Sequence, residues 1–571
     1  MLSTKRLILI IIIITTISIA FLLFNVSNYT TEPTKDINTF QDELILVKTS
    51  LPETMKTDIY YIVGDAKDEY EKNIITNVKQ ALSYMKLKFS EKIIINEDDL
   101  IKQPILIICT KTPSKVMDLK QLANYISNGG KVLFAAGLPE GSKDSYLYPI
   151  WGIMEKGTPV ETKQLHINRQ FMPYPEITFD YSGYNSSSNL TLNPSVNVLM
   201  EDTNKVPMIY SHGYERGKVV VINGSLMDNI SSGGFFSSAL GELKGDLIYP
   251  VIGVKTVYLD EFPPIQSMDD IKSNQLYGRG AESFLRDVLW PELLRSSSRY
   301  DIKYTAGILS FVDKENNLLL ENERLTKYLL KEILRYHGEV ILQGDFSNSS
   351  SFRTNLLSHY YNEFKRMFPN YKISGYSVLY GKTNQDILKT VSEVLGGIYT
   401  VRGFYQGDET TQTIQKFEVK DSFVHYPVIS SGFSKSHGMF YEFLSGLSLY
   451  GVVSHSFNIR TLFQEKDSSW TRLSDEFNDL AEAYFGTTSW LKAKTLSESA
   501  KNTKAYYSLK MSVEYKEDYI KVYCSDFRSG QAFFLRSYKN IKELSGGQAT
   551  KINDSYYYIE AIEPELIIFY Q

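Results

Sequence analysis

One stretch of the chain decides its fold: Val254-Lys-Thr-Val-Tyr-Leu-Asp260-Glu261-Phe-Pro-Pro264. The β-branched and apolar residues at its start predict a buried strand, which ends in two adjacent carboxylates and a Pro-Pro stop. In α/β proteins, functional groups collect where parallel strands end at their carboxyl edge. Asp260 and Glu261 are therefore candidate functional residues. The structural alternative is a solvated Asp-Glu turn before Pro263.

Repeated strand–helix units follow this stretch. Strand-like runs occur at residues 302–309, 338–344, 371–380, 398–405, 424–431 and 451–455, with helical runs near 281–298 and 323–336. Such units over about 240 residues, with polar residues after the strands, are typical of a closed or nearly closed β/α barrel. The barrel is predicted for residues 250–500.

Two further domains are predicted, one on each side of the barrel. Over residues 55–248, strand-like runs at 58–63, 93–95, 104–108 and 131–136 alternate with helical runs near 69–87 and 119–127. This alternation predicts a doubly wound, largely parallel sheet. After the barrel, strands succeed one another without helices, which predicts a small β-sandwich over residues 505–571.

Residues 7–24 predict a transmembrane signal anchor. They are apolar except for three hydroxyl residues, two basic residues precede them, and no small-residue cleavage signal follows. The positive-inside rule places residues 1–6 in the cytoplasm and the remainder outside. The polar residues 25–54 predict a linker. We therefore expect a single-pass protein of the cell membrane, with the bulk of the chain extracellular.

Composition narrows the classes of partner. Hydrophobic residues make up 43% of the 571 residues and charged residues 22%, which is the balance of a globular protein. The net charge of −5 comes without a basic block that could follow a phosphate backbone, so no nucleic-acid partner is expected. Cys109 and Cys524 lie far apart in strand-like runs, which predicts two buried free thiols.

The domain before the barrel carries a first resemblance. Residues 122–135 read Leu-Ala-Asn-Tyr-Ile-Ser-Asn-Gly-Gly-Lys-Val-Leu-Phe-Ala, and they resemble the helix, Asn-Gly-Gly turn and strand of flavodoxin-like and glutamine-amidotransferase-like domains. Residues 216–225 resemble the same domains. Amidotransferases need a nucleophilic cysteine at a strand-to-helix elbow, whereas Cys109 precedes Thr110-Lys111. The domain is therefore predicted to be non-catalytic, a scaffold or a partner-binding module.

The barrel resembles the NodB-type polysaccharide deacetylases, and more closely a deacetylase-like family that is encoded with exopolysaccharide machinery of the Pel type. In the deacetylases the first strand ends in Thr-Phe-Asp-Asp-Gly, where the first Asp is the base and the second binds metal. Tyr258-Leu-Asp-Glu-Phe262 takes that place here. The resemblance therefore implies a role as base for Asp260 and as a metal ligand for Glu261.

The other deacetylase motifs are altered. Where the family has two metal-binding histidines, this chain has Gly338-Glu-Val-Ile-Leu-Gln343-Gly-Asp345-Phe-Ser347, so that Gln343 and Ser347 replace them. An amide and a hydroxyl are poorer ligands than imidazole for a zinc-like ion, which predicts that the usual metal site does not form. In the third motif His455 is kept, but Asn458-Ile-Arg-Thr461 replaces the acids.

The predicted site has no metal ligand and no cofactor. Its catalytic candidates are Asp260 and Glu261, and its substrate-binding candidates are Gln343, Asp345, His425 and His455. Two alternatives stay open at this point. One is a rearranged metal site that draws on the same carboxylates and histidines with His437 added. The other is a metal-free glycosidase that pairs Asp260 or Glu261 with Asp345.

Together these features predict a membrane-anchored, extracytoplasmic protein of Pel-like exopolysaccharide biosynthesis or export, which binds glycan through a degenerate deacetylase-like barrel. The expected partners are an extracellular polysaccharide, the membrane through residues 7–24, and membrane-embedded components of the synthase or exporter. The first alternative is an active polysaccharide N-deacetylase that uses a divalent metal such as zinc. The second is a structural subunit of the synthase.

Overall fold

The computed structural model describes residues 46–52, 58–139, 143–265, 268–309, 322–344, 351–405, 416–435, 437–464 and 466–571, except 182 and 184, together with residues 15, 16 and 18. All but three residues of the predicted transmembrane segment, and most of the predicted linker, therefore lie outside the described residues. Among the residues that are described, none of the helices has the length and apolar character needed to cross a bilayer.

A nine-stranded sheet forms the centre of the first domain, and a separate hairpin-like pair, β5 with β8, lies beside it. The strands are β1 (Tyr60–Val63), β2 (Phe89–Lys92), β3 (Ile105–Ile108), β4 (Lys131–Phe134), β5 (Ile153–Glu161), β6 (Gln164–Ile167), β7 (Ile177–Asp180), β8 (Ser186–Leu192), β9 (Asn197–Asp202), β10 (Pro207–Tyr214) and β11 (Gly217–Ile222). The helices are α1 (Glu69–Tyr84), α2 (Glu97–Leu100), α3 (Leu119–Ser127) and α4 (Gly233–Lys244).

The order of strands in this sheet is β2-β1-β3-β4-β11-β10-β9-β6-β7. The first five strands are parallel and the last four are added antiparallel, so the expectation of a largely parallel sheet holds for only half of it. The reason is the length of the connections, because the links between β9, β10 and β11 are too short for a crossover helix. The strand β3 is buried throughout, since side chains cover both faces of the parallel half.

A second sheet begins with β13, after a strand β12 (Leu247–Val251) that belongs to the C-terminal sheets. The strands of this second sheet are β13 (Val254–Asp260), β14 (Tyr304–Leu309), β15 (Glu339–Gly344), β16 (Gly375–Thr383), β17 (Thr400–Tyr405), β18 (Glu418–Lys420), β19 (Phe423–Tyr426), β20 (Ser430–Ser431), β21 (Val452–Asn458) and β22 (Lys492–Ala493). The helices that accompany them are α5 (Asp270–Tyr277), α6 (Ala281–Phe284), α7 (Trp290–Tyr300), α8 (Glu323–Arg335), α9 (Ser351–Met367), α10 (Gln385–Leu395), α11 (His437–Tyr450), α12 (Trp470–Ala481) and α13 (Leu496–Ser508).

Eight of these strands form an incompletely closed barrel. The strands β13 to β17 are parallel neighbours in chain order, β17 continues to β19, and β21 pairs with both β20 and β13. Within the described part of the chain, β19 and β20 are not paired, so the barrel is open between them. The helix α13 lies across the amino ends of the strands, where Ser499 Oγ is 2.7 Å from Thr256 Oγ1 and Ser497 N–H donates to Glu339.

The C-terminal domain consists of two four-stranded antiparallel sheets. Its strands are β12 with β23 (Lys510–Tyr515), β24 (Tyr519–Ser525), β25 (Gln531–Arg536), β26 (Ile541–Ser545), β27 (Gly547–Lys551), β28 (Tyr556–Ala561) and β29 (Glu565–Tyr570). The sheets are β12-β25-β28-β27 and β23-β24-β29-β26, and they share a core that includes Ile248, Val522, Phe533 and Ile568. Because β12 precedes the barrel in the chain, this sandwich is assembled from two distant segments.

Candidate functional site

The carboxyl end of β13 places Asp260 inside the barrel, where it is only 6% exposed. Both terminal nitrogens of Arg402, on β17, donate to its carboxylate, and the Nη2–Oδ2 distance is 2.7 Å. The hydroxyl of Ser456, on β21, donates to the same carboxylate. Bidentate arginine–carboxylate pairs are among the strongest hydrogen-bonded contacts in proteins. Asp260 is thus fully engaged by two neighbouring side chains.

The Arg402 guanidinium is itself buried and surrounded by groups of the barrel interior. Its Nη1 lies 3.1 Å from Ser377 Oγ and its Nη2 3.3 Å from Ser456 Oγ. The guanidinium carbon is 4.7 Å from the centroid of the Tyr258 ring, within the range of a cation–π contact. A permanent positive charge therefore occupies the barrel interior directly beside Asp260.

Glu261 follows in a left-handed backbone conformation, with φ of +52°. Its carboxylate accepts a hydrogen bond from Asn458 Nδ2 at 2.9 Å and one from Arg460 Nη1 at 3.3 Å. Its backbone N–H donates to Gln343 Oε1 at 2.9 Å. A glutamate in this region of backbone space carries strain of a kind found at functional sites. The Gln343 amide oxygen thus holds the backbone of the turn at Glu261, and substrate binding by Gln343 stays a prediction.

His425 lies on the other face of the barrel sheet. In the ladder between β17 and β19, Arg402 is opposite Tyr426 and Val401 is opposite His425. Since neighbouring residues of a strand point to opposite faces, and Arg402 points to Asp260, His425 points away from the barrel interior. Burial, followed by the charge of Lys420, lowers the pKa of His425 from 6.5 to about 4.

His455 is likewise directed away from Asp260, because its neighbour Ser456 faces the carboxylate. Its Nδ1 is 2.8 Å from the Ser430 hydroxyl, and its Nε2 is 2.9 Å from the Gly432 carbonyl oxygen. The ring packs against Phe457, with centroids 4.5 Å apart. Burial lowers the pKa of His455 from 6.5 to about 4. Substrate binding by the two histidines stays a prediction, and the structure separates both from Asp260.

The buried His455 predicts a dependence of stability on pH. Because its pKa is lower in the folded chain than in the unfolded chain, its contribution is fully present above pH 6.5 and is lost as the pH falls toward 4. We expect His455→Gln to lose less stability than the native chain between pH 6.5 and pH 4, as measured by urea unfolding. His359→Gln, which changes an exposed histidine, is the control and should retain the native acid sensitivity. Parallel curves for the native chain and His455→Gln would contradict the prediction.

The remaining predicted residues are not placed at the site by the structure. Asp345 and Ser347 lie outside the described residues, so the pairing of Asp345 with Asp260 or Glu261 stays a hypothesis. His437 begins α11, and its side chain is also outside the description. Arg402, Ser377 and Ser456 were missed by sequence reasoning, because each lies on a different strand and belongs to no recognisable motif.

The donor set beside Asp260 does not fit a metal ion of the deacetylase type. The carboxylate oxygens are taken by Arg402 and Ser456, and the guanidinium cannot release its proton to make room for a second cation. Across the described ranges, no three or more His, Cys, Asp or Glu side chains are grouped so that they could hold a metal. The altered second motif leads to the same conclusion from the sequence.

A separate cavity of about 1210 Å³ lies in the first domain. Lys111, Gly137 and Asn223, which follow the strands β3, β4 and β11, line it together with Tyr70 and the polar run 186–188. Gly137 is required here, because a Cβ atom at this residue would lie 2.8 Å from the Gly224 carbonyl oxygen and its φ is +80°. The cavity thus occupies the carboxyl edge of the parallel strands, where α/β domains hold ligands. The sequence analysis did not identify it, since its lining is dispersed along the chain.

Comparisons with known proteins agree with this architecture. Residues 150–559 match a protein family described as "Uncharacterised protein conserved in bacteria (DUF2194)". No curated protein matches the chain. The crystal structure of Agd3, a carbohydrate deacetylase, is similar with a TM-score of 0.52 at 9% identity, over 90% of this chain and 98% of that one. A protein of Parabacteroides distasonis, provisionally described as a glycoside hydrolase/deacetylase, has a TM-score of 0.30 at 12% identity, over 50% of this chain and 82% of its own.

The similarity to Agd3 shows a shared overall fold. The first domain has no separate support from these comparisons as an amidotransferase-like module. The family profile spans well over half of the chain. The protein therefore belongs to the DUF2194 family of bacterial proteins.

Proposed function

We propose that this protein binds a polysaccharide outside the cytoplasm, through a deacetylase-like barrel whose carboxylates form ion pairs instead of serving metal-dependent hydrolysis. One observation carries the proposal: Asp260 is held by Arg402 on both carboxylate oxygens. The likeness of the fold to a carbohydrate deacetylase supports a carbohydrate as the ligand.

The ion pair argues against Asp260 as a general base. A base must reach the proton it removes with a free lone pair in a substrate-accessible direction. The Asp260 carboxylate instead accepts hydrogen bonds from Arg402 and Ser456 inside the barrel. Glu261 is engaged in a similar way by Asn458 and Arg460. The Arg460 side chain is 41% exposed, so its guanidinium is the charged group of this cluster that a ligand at the barrel mouth can reach.

The cellular setting completes the proposal. In this proposal, residues 7–24 anchor the chain in the cell membrane, and the folded domains lie outside the cytoplasm. The ligand is an exopolysaccharide of the Pel-like type, and the protein partners are membrane-embedded components of its synthase or exporter. These statements rest on the sequence pattern of the N-terminus and on the resemblance of the barrel motifs.

The test is carried out on the full chain in detergent. The native protein and Asp260→Asn are incubated with N-acetylated amino-sugar oligomers, with and without zinc, cobalt or nickel, and both oligomer binding and acetate release are measured. We expect binding without added metal and no acetate release from either protein. Arg460→Gln should weaken binding while the thermal unfolding temperature stays close to the native one.

Two outcomes would overturn the proposal. Stoichiometric metal together with Asp260-dependent acetate release would establish an active deacetylase and would redirect the search for ligands to the histidines and to Asp345. A folded protein that binds none of the oligomers, but co-purifies with membrane proteins, would establish a structural subunit.

A further inference from the structure

A cavity of about 170 Å³ lies where the barrel meets the C-terminal sandwich. We call it the basal cavity; Gly253 lines it together with four charged residues, Lys492, Lys494, Arg528 and Glu560. Gly253 immediately precedes the amino end of β13, whereas Asp260 ends that strand. At about 3.3 Å per residue, the two ends of this strand are roughly 20 Å apart. The basal cavity is thus distinct from the site around Asp260.

Positive charge is in excess around the basal cavity. Lys492 forms a salt bridge of 2.5 Å with Glu560. In the portion of the chain covered by the structure, the side chains of Lys494 and Arg528 have neither a hydrogen-bond nor a salt-bridge partner. The carboxylate of Glu498, whose charge acts on Lys494, is engaged by Lys303 at 3.1 Å and by the backbone N–H of Thr495.

The electrostatics of the two unpaired cations agree with this geometry. Burial lowers the pKa of Lys494, Glu498 raises it, and the neighbouring positive charges of Lys303, Lys492 and Arg528 lower it further. Burial also lowers the pKa of Arg528. Half-buried cations that repel one another are costly unless an anion neutralises them. Their collection in one cavity therefore indicates a missing counter-charge.

We propose that the basal cavity binds a phosphate-sized oxyanion, either inorganic phosphate or the phosphoryl group of a sugar phosphate. Lys494 and Arg528 would supply charge-assisted hydrogen bonds from two sides, and a guanidinium fork matches the oxygen geometry of a phosphoryl group. The hydroxyl of Ser529, which is exposed and lines the same cavity, is a further donor. Since Lys494 follows β22 of the barrel and Arg528 belongs to the sandwich, the anion would join the two domains.

The experiment measures the thermal unfolding temperature of the full chain in detergent. Inorganic phosphate is titrated against sodium chloride of equal ionic strength, and glucose 1-phosphate is titrated in parallel. We expect saturable stabilisation by a phosphoryl compound beyond the effect of chloride. Arg528→Gln and Lys494→Gln should each weaken this response at least tenfold, whereas Lys542→Gln, an exposed lysine on β26, should leave it unchanged.

The change in unfolding temperature that Arg528→Gln causes in the absence of phosphate distinguishes a binding role of Arg528 from a structural one. If Arg528 serves to hold an anion, Arg528→Gln removes a repulsion with Lys494 and should unfold at the same temperature as the native chain or higher. A lower unfolding temperature with an unchanged phosphate response would overturn the proposal. So would equal stabilisation by chloride. Tighter binding of glucose 1-phosphate would identify a phosphorylated sugar as the ligand, and tighter binding of inorganic phosphate would identify the free ion; both support the site.

Discussion

Arg402→Met is expected to lower the free energy of unfolding by about 3–5 kcal/mol, because it leaves a buried carboxylate without its counter-charge. Asp260 is only 6% exposed, and its remaining described partner would be the Ser456 hydroxyl. Chemical denaturation followed by circular dichroism measures the change. Methionine is chosen because it retains most of the volume of the arginine stem in the barrel interior.

Two further variants make this result specific to the ion pair. The double variant Asp260→Asn with Arg402→Met should recover most of the lost stability, since neither charge is then buried alone. Arg472→Met breaks an ion pair with Asp467 in which the two side chains are 59% and 87% exposed, so it should cost about 1 kcal/mol or less. A native-like stability of Arg402→Met would show that Asp260 is accessible to solvent or to a ligand, as a catalytic base would be.

Arg536→Met is expected to cost a similar amount, about 3–5 kcal/mol, by breaking a buried ion pair between the first domain and the sandwich. Arg536 is fully buried on β25, and its Nη2 donates to Glu242 of α4 at 2.6 Å. Lys218 and Tyr538 donate to the same carboxylate, each at 2.6 Å. Loss of the guanidinium would leave Glu242 buried with half of its compensating charge. Differential scanning calorimetry of the full chain measures the change.

The ion pair between Arg536 and Glu242 also makes the stability of the fold depend on pH. Burial raises the pKa of Glu242, but the charges of Arg536 and Lys218 and their hydrogen bonds outweigh it, so that the pKa falls from 4.5 to about 2. A carboxyl group with a lowered folded pKa contributes stability above pH 4.5, and this contribution is lost as the pH falls toward 2. In Arg536→Met the folded pKa of Glu242 loses its largest lowering charge, so this part of the acid loss should be smaller than in the native chain and should end at a higher pH. Arg472→Met, which breaks an exposed pair with Asp467, is the control and should leave the acid profile unchanged. Coincident profiles for all three proteins would contradict the assignment.

Local patterns in the sequence were sufficient for most strands of the barrel, but not for most of its helices. The apolar run before Asp260 predicts a strand that ends at a carboxylate, and β13 ends at this residue. Such a prediction succeeds because side-chain alternation and the Pro-Pro stop act within a few residues of one another.

Long-range partners could not be obtained from the same patterns. Arg402 is 142 residues from Asp260, and nothing around it distinguishes it from the other arginines of the chain. The sequence analysis ends the first domain at residue 248, whereas strand β12 (Leu247–Val251) pairs with β25 of the sandwich. His425 and His455 lie within the strands β19 and β21, where a shift of one residue along the strand turns a side chain to the opposite face.

The sequence by itself therefore determined most of the strands of the barrel and the position of the two acids at the end of its first strand. Only the tertiary structure decided what those acids do. Whether a buried carboxylate meets a metal, a substrate or an arginine depends on which strands become neighbours and on which face each side chain lies. Here the closure of β17 and β21 around β13 brings a guanidinium and a hydroxyl to Asp260, and the cost of leaving a charge buried alone holds them together.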